Sequence, residues 1–208
     1  KTLTPIGLSE HYKIIFVCAA RHVGISLSKS AISAGKKVAF GFGCECAEDI
    51  RLHYFAAKEY TKDWRSGGIR KVDNTVGDKV EIIICDIKSY LYAMYYMLAF
   101  NKKEEIITYW DEPTITMDYD EHPCHEVIQN IWKENTIPNM VLSSATLPKM
   151  HEIQETIADF RGKFDGAQIH SIHSYDCKKT IPIINKYGYA ELPHYVFDKY
   201  DDILRCVC

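Results

Sequence analysis

The residues from Ile106 to Thr114 read IITYWDEPT, an apolar run that ends on two adjacent carboxylates, Asp111 and Glu112. A parallel strand delivers its last residues to the carboxyl edge of its sheet, where α/β folds bind ligands. One carboxylate at such an edge can hold Mg²⁺ through water, and a second can take a proton from an attacking water. The same pair also occurs as a plain solvated strand end, and Pro113 is a natural turn residue. A second apolar run, NMVLSSATLP from Asn139 to Pro148, ends in Ser143, Ser144 and Thr146. Short hydroxyl side chains there can bond a neighbouring carboxylate without filling a cleft. They also open helices as N-caps, a use that a helix after Pro148 fits equally well.

Cations and hydroxyls follow two further runs. Ala19-Ala20-Arg21-His22-Val23-Gly24 comes after YKIIFVC, and Asp86-Ile87-Lys88-Ser89 comes after VEIIIC. Lys88 and Ser89 bring a cation and a hydroxyl to a helix start, a good phosphate site; Arg21 and Lys88 serve as readily as solvated helix-opening residues. Cys44-x-Cys46, His122-x-x-His125 with Cys124, and Cys206-x-Cys208 raise the question of zinc, but none has Cys-x-x-Cys spacing. His122 and His125 are expected to border a helix that runs to Trp132. Cysteine–histidine catalysis lacks a strained nucleophile turn, and Cys18 and Cys85 lie inside apolar runs.

The elements that position these groups alternate between strand and helix, as in a mostly parallel sheet with crossover helices. Strands are predicted at Tyr12–Cys18, Lys37–Phe42, Val80–Cys85, Glu105–Trp110 and Asn139–Ser143, with further ones at Ala167–Ile172 and Thr180–Asn185. Helices are predicted from about Val23 to Ala34, stopped by Gly35, through Tyr90–Leu98, and from Pro148 to Phe160. Ala47–Tyr60 has helical spacing, and Trp64–Asp78, with Gly67, Gly68 and Asn74, reads as an exposed loop or hairpin. The aromatic stretch Tyr90–Phe100 is apolar almost all round, which favours burial against the sheet over base stacking.

A chain of 208 residues suffices for one sizeable domain, and its 47% hydrophobic and 25% charged content is ordinary for a globular protein. A formal net charge of −3 excludes a histone-like polycation but not a local basic stripe. The longest apolar run, Tyr90 to Phe100, is too short to span a bilayer. KTLTPIGLSEHYK lacks the charged-then-apolar pattern of a leader, and the eight cysteines lack the spacing of a disulfide framework. A reducing compartment, cytoplasm or nucleus, is expected.

Together, an Asp-Glu-x-x box and a Ser-Ala-Thr on a later strand, with Asp111 and Ser144 standing 33 positions apart, resemble motifs II and III of superfamily 2 helicases of the DEAD/DEAH type. Asp111-Glu112-Pro113-Thr114 keeps the acidic pair and departs from the family at its last two positions. The resemblance runs from about Tyr12 to Ile172 and implies the first RecA-like motor domain. It implies Asp111 as the Mg²⁺ carboxylate, Glu112 as general base, and Ser144 and Thr146 as couplers of hydrolysis to motion. Arg21 and His22 stand where motif Ia falls, and Lys88 and Ser89 where motif Ib falls, which implies contacts to a DNA or RNA backbone. ATP and Mg²⁺ are the implied cofactors, and a second RecA-like domain of the same chain the implied partner. YWDEPT, LSSATLP and SYDCKK are also similar to strings in helicase-like proteins of large cytoplasmic DNA viruses, which adds a viral factory or virion to the implied locations.

Such a motor needs G-x-x-x-x-G-K-[ST] to cradle phosphates, and no such string occurs. Gly35-Lys36-Lys37 lacks the first glycine and the hydroxyl, and it precedes a strand. The expectation is therefore a RecA-like domain over residues 1–193 truncated at its phosphate-loop unit, with 194–208 a linker or the start of another domain. Alone it should hydrolyse ATP poorly or not at all. The alternative is a catalytically silent RecA-like module that binds nucleic acid or protein.

Overall fold

A computed structural model describes residues 3–116, 119–172 and 183–192. The chain divides into two compact units, Lys1–Ala167 and Gln168–Cys208. In the first, a short helix α1 (Thr4–Leu8) leads into strand β1 (Lys13–Cys18), helix α2 (Arg21–Ser33) and strand β2 (Val38–Gly41). Then come β3 (Arg51–Leu52), a hairpin of β4 (Tyr60–Lys62) and β5 (Ile69–Val72), β6 (Ile82–Asp86) and helix α3 (Tyr90–Leu98). Strand β7 (Ile106–Asp111), helix α4 (His125–Glu134), strand β8 (Asn139–Ser143) and helix α5 (Gln154–Lys163) complete it.

Six strands form one sheet in the order β3-β2-β6-β1-β7-β8. All neighbours in it are parallel except β3, which runs antiparallel to β2 at one edge. The molecule is thus α/β with a mostly parallel sheet, as the alternating apolar runs predict.

Both faces of the sheet are covered, which explains why its strands are continuously apolar. Ile15, Val17, Ile83, Cys85 and Trp110 turn to one face, against Tyr90, Met94 and Met97 of α3 and Ile131 of α4. Ile14, Phe16, Ile82, Ile84 and Tyr109 turn to the other, against Leu27 and Ala31 of α2. Helix α2 sits so close that a Cβ on Gly24 would come within 2.8 Å of Ile84, 2.9 Å of Phe42 and 3.0 Å of Cys18. Beneath α3 lies a buried polar link. Tyr90 donates its hydroxyl to Asn135 Oδ1 at 2.7 Å and lies 2.9 Å from Thr108 Oγ1, while Asn135 fixes both polar groups of the Ile137 backbone.

Three predicted elements differ. Ala47–Tyr60 is no helix: a single 3-10 turn at Ala47–Asp49 gives way to β3. The cause is polar: Asp49 Oδ2 accepts from the nearby Glu45 and Cys46 amides, and Asn74 Oδ1, 22 residues on, accepts from Leu52 N. The helix expected from Pro148 opens only at Gln154, after a turn in which Glu152 takes the Lys149 amide. Ala167–Ile172 forms no strand, and Ile172 is exposed. In the second unit Ile183–Ile184 (β9) pairs antiparallel with Ala190–Leu192 (β10), whereas Thr180–Pro182 of the predicted strand, and 194–208, lie outside the described residues. No helix of the described residues is long and apolar enough to cross a membrane.

Candidate functional site at the carboxyl edge of the sheet

Strands β6, β1, β7 and β8 end side by side. Their register places Asp86 beside Cys18, Cys18 beside Asp111, and Asp111 beside Ser143. The row therefore carries two carboxylates at the edge where parallel sheets bind ligands. Asp111 is 7% exposed, so it is not a solvated strand end.

Glu112 follows with φ +53°, the only described non-glycine residue in the left-handed region. That conformation costs a side-chain-bearing residue roughly 1–2 kcal/mol and persists only where its surroundings enforce it. Here the Glu112 amide donates to Ser143 O at 2.8 Å. Its carboxylate Oε2 accepts the Ser144 hydroxyl at 2.5 Å. The strained residue is thus tied by backbone and side chain to the adjacent strand end.

Ser144 also belongs to a triangle of hydroxyls. Ser144 Oγ, Thr114 Oγ1 and Thr146 Oγ1 lie 3.3 Å from one another, and the Thr146 amide donates to Ser144 Oγ at 3.1 Å. Because the single Ser144 proton points to Glu112, Ser144 can only accept from the threonines. The result is a directed chain of donors ending on the Glu112 carboxylate. Ser144 and Thr146 are not N-caps, since the next helix opens at Gln154 with Ile153 before it. Thr114 is the site residue that sequence reasoning passed over. Its only signal was its place three positions after Asp111, and its partners stand 30 and 32 residues further on.

The four predicted backbone-contact residues divide into two pairs. Arg21 opens α2, with its guanidinium 3.9 Å from Asp86 Oδ2 and over the Phe42 ring at 5.2 Å. Asp86 takes the Gly43 amide at 2.8 Å and the Ser89 amide at 2.9 Å, which makes it the hub of this corner. Ser89 is completely buried and its hydroxyl accepts the Cys44 amide at 2.9 Å, so it braces the loop after β2 and is not displayed to solvent. His22 and Lys88 are exposed. Arg21 and Ser89 therefore meet through Asp86, and His22 and Lys88 stand apart from that network.

Cys18 sits in the middle of the acidic row. Burial, with the nearby Asp111 and Asp86 charges, pushes its thiol up to about 11, and burial raises Cys85 as well. Neither is a thiolate nucleophile at neutral pH. His122 Nδ1 accepts the Cys124 amide just before α4, and a ring nitrogen of His125 lies 2.9 Å from Thr116 O. Among the described residues no group of three or more His, Cys, Asp or Glu is placed to hold a metal. Mg²⁺ asks for less: it is commonly held by one or two carboxylates plus water and phosphate oxygens. Asp111 and Glu112 match that donor set.

Compared with known proteins, the chain matches no family model and no curated protein.

Proposed function

We propose that this chain is the first RecA-like motor domain of an ATP-dependent helicase or translocase of the superfamily 2 type, acting on DNA or RNA. The observation that carries the reading is Glu112, held in a strained left-handed conformation beside Asp111 and bonded through its carboxylate to Ser144 of the neighbouring strand. Strain of this kind is kept where geometry is needed.

In this reading Asp111 would hold Mg²⁺, which would supply charge neutralisation on the phosphates of ATP. Glu112 orients the attacking water and takes its proton. Ser144 holds the Glu112 carboxylate in place, and Thr114 and Thr146 couple it to whatever the β8 loop contacts. Arg21, His22 and Lys88 face a DNA or RNA backbone, with Asp86 and Ser89 shaping that corner. A second RecA-like domain completes the nucleotide site.

The motor reading carries an expectation for its phosphate loop. β7 already has β1 on one side and β8 on the other, and the outer edge of β8 carries no strand among the described residues. In this reading the phosphate loop follows a strand laid against β8, within reach of Asp111 and the Ser144 triangle. The test is turnover in the full-length protein. Asp111→Ala or Glu112→Gln should abolish nucleic-acid-stimulated ATP hydrolysis while the fold survives; normal activity in both variants rules the motor out. The second reading is a silent RecA-like binding module. That reading predicts no ATP turnover in the full-length protein at all.

A further inference from the structure

The β4–β5 hairpin is unlike the rest of the domain. Nearly all of it is solvent-exposed, strand residues included. Trp64 stands at its tip, 85% exposed, the most exposed large hydrophobic side chain among the described residues of the first unit. A tryptophan left in water forgoes the burial that ordinarily fixes its place in a fold, and it calls for an explanation. The tip is not loose. Asp63 Oδ1 accepts the Arg65 and Ser66 amides at 2.9 Å each, Asp63 N donates to Gly68 O at 2.7 Å, and Gly67 takes the left-handed turn at φ +67°. The base is clamped too: Tyr96 of α3 donates to Asn74 O at 3.0 Å, and Tyr54 packs edge-on against Tyr60 at 5.4 Å. A held turn thus presents an indole outward.

The charge on the hairpin is mostly positive. Lys62, Arg65, Arg70 and Lys71 line the hairpin, and Asp63, the acid among them, spends its carboxylate on the turn. Arg70 is the extra residue of a bulge between the pairs Thr61–Lys71 and Lys62–Ile69, which turns it out of the ladder. Arg65 lies 5.0 Å over the Trp64 ring and Lys62 5.8 Å from the Tyr60 ring, so cation and aromatic alternate. This basic projection stands on a chain whose net charge is −3. Cations that track phosphates, interleaved with rings that stack on bases, are the chemistry of single-strand recognition.

We propose that the Tyr60–Val72 hairpin is a single-stranded nucleic-acid contact, with Trp64 stacking on a base while Lys62, Arg65, Arg70 and Lys71 pair with flanking phosphates. The inference rests on the nucleic-acid half of the proposed function and does not depend on ATP hydrolysis. It places a contact far from the β7–β8 strand ends in sequence, on residues with no part in the nucleotide site.

The test is binding of a fluorescent twenty-nucleotide oligo-dT and its oligo-U counterpart by the full-length protein, without nucleotide, at several salt concentrations. Trp64→Ala should weaken binding by about tenfold, and Trp64→Phe should restore most of it. Arg70→Glu with Lys71→Glu should lower the salt dependence of log K by roughly 1.4, the share of two phosphates on a single strand. All these side chains are exposed, so an unchanged thermal melt separates lost contact from lost fold. Unchanged affinity in Trp64→Ala and in the double reversal overturns the hairpin while leaving the motor reading intact. Failure of the motor reading appears instead as unchanged turnover in both Asp111→Ala and Glu112→Gln, whatever Trp64 does. Binding of phosphatidylserine vesicles but not of either oligonucleotide marks the hairpin as a membrane contact and also overturns the proposal.

Discussion

Ser144 and Glu112 meet across the ends of two parallel strands, with the Ser144 hydroxyl donating to Glu112 Oε2 at 2.5 Å. A general base must be aimed as well as ionised, and in the proposed reading this bond aims Glu112. If Glu112 takes the proton, Glu112→Gln in the full-length protein should lower kcat by about 10²–10⁴-fold with KM nearly unchanged. Ser144→Ala keeps the base and loses its orientation, so a smaller loss, on the order of tenfold, is expected. Steady-state hydrolysis measured on both variants checks the order. A Ser144→Ala defect as large as that of Glu112→Gln would show that the serine itself acts on the substrate.

Helix α2 can approach the sheet only because residue 24 has no side chain. Gly24→Ala gains about 1 kcal/mol of helix propensity but must displace Ile84, Phe42 or Cys18, an overpacking cost of about 1–3 kcal/mol. Net destabilisation of about 1 kcal/mol is expected in urea unfolding. The matching change at Gly162 in α5 meets nothing within 4 Å, so it should stabilise by up to about 1 kcal/mol. Opposite signs at the two glycines distinguish close packing from helix propensity.

How far these relationships could be read in the sequence depends on their range. β1, β2, β6, β7 and β8 were legible because a strand buried on both faces leaves an unbroken apolar run. Asp111, Glu112, Ser144 and Thr146 were legible because they end such runs. Segment 47–60 was not, because its shape comes from the Asp49 and Asn74 side chains capturing backbone amides, which leaves no mark on apolar periodicity. Thr114 needed the β7–β8 register before its partners could be known. Ser89 looked like a phosphate contact from its letter and place, yet the fold spends its hydroxyl on Cys44. In the sequence Trp64 marks only an exposed loop or hairpin; its degree of exposure and the charge gathered around it come from the fold.

The link under α3 ties three elements together through one phenol. Removing the Tyr90 hydroxyl leaves Thr108 without that partner and Asn135 with one donor fewer, inside a region closed to water. Tyr90→Phe should therefore destabilise the domain by about 1–3 kcal/mol, although it removes a single atom. Burial raises the Tyr90 phenol far above the ordinary tyrosine range, which keeps it a neutral donor at pH 9. The cost should accordingly be the same at pH 6 and pH 9 in paired denaturation curves. A cost that vanishes at pH 9 would mean that the phenol ionises and that the link is open to solvent.

Lys36 is nearly buried, 2.5 Å from Glu10 Oε1 and 3.9 Å from Glu81 Oε1. Its hydrogen bond and charge hold the Glu10 carboxyl below the usual carboxylate range. A carboxyl depressed in the folded state adds stability above its unfolded pKa of about 4.3 and loses it as pH falls through the folded value. The bridge should therefore help at neutral pH and stop helping in acid. Lys36→Met keeps most of the apolar stem and removes the charge, so its melting temperature should lie below that of the parent at pH 7. The gap should narrow steadily below about pH 4 as the Glu10 carboxylate is protonated. Thermal melts of the two proteins from pH 7 to pH 3 decide the matter, and a gap independent of pH would assign the effect of Lys36 to packing of its stem.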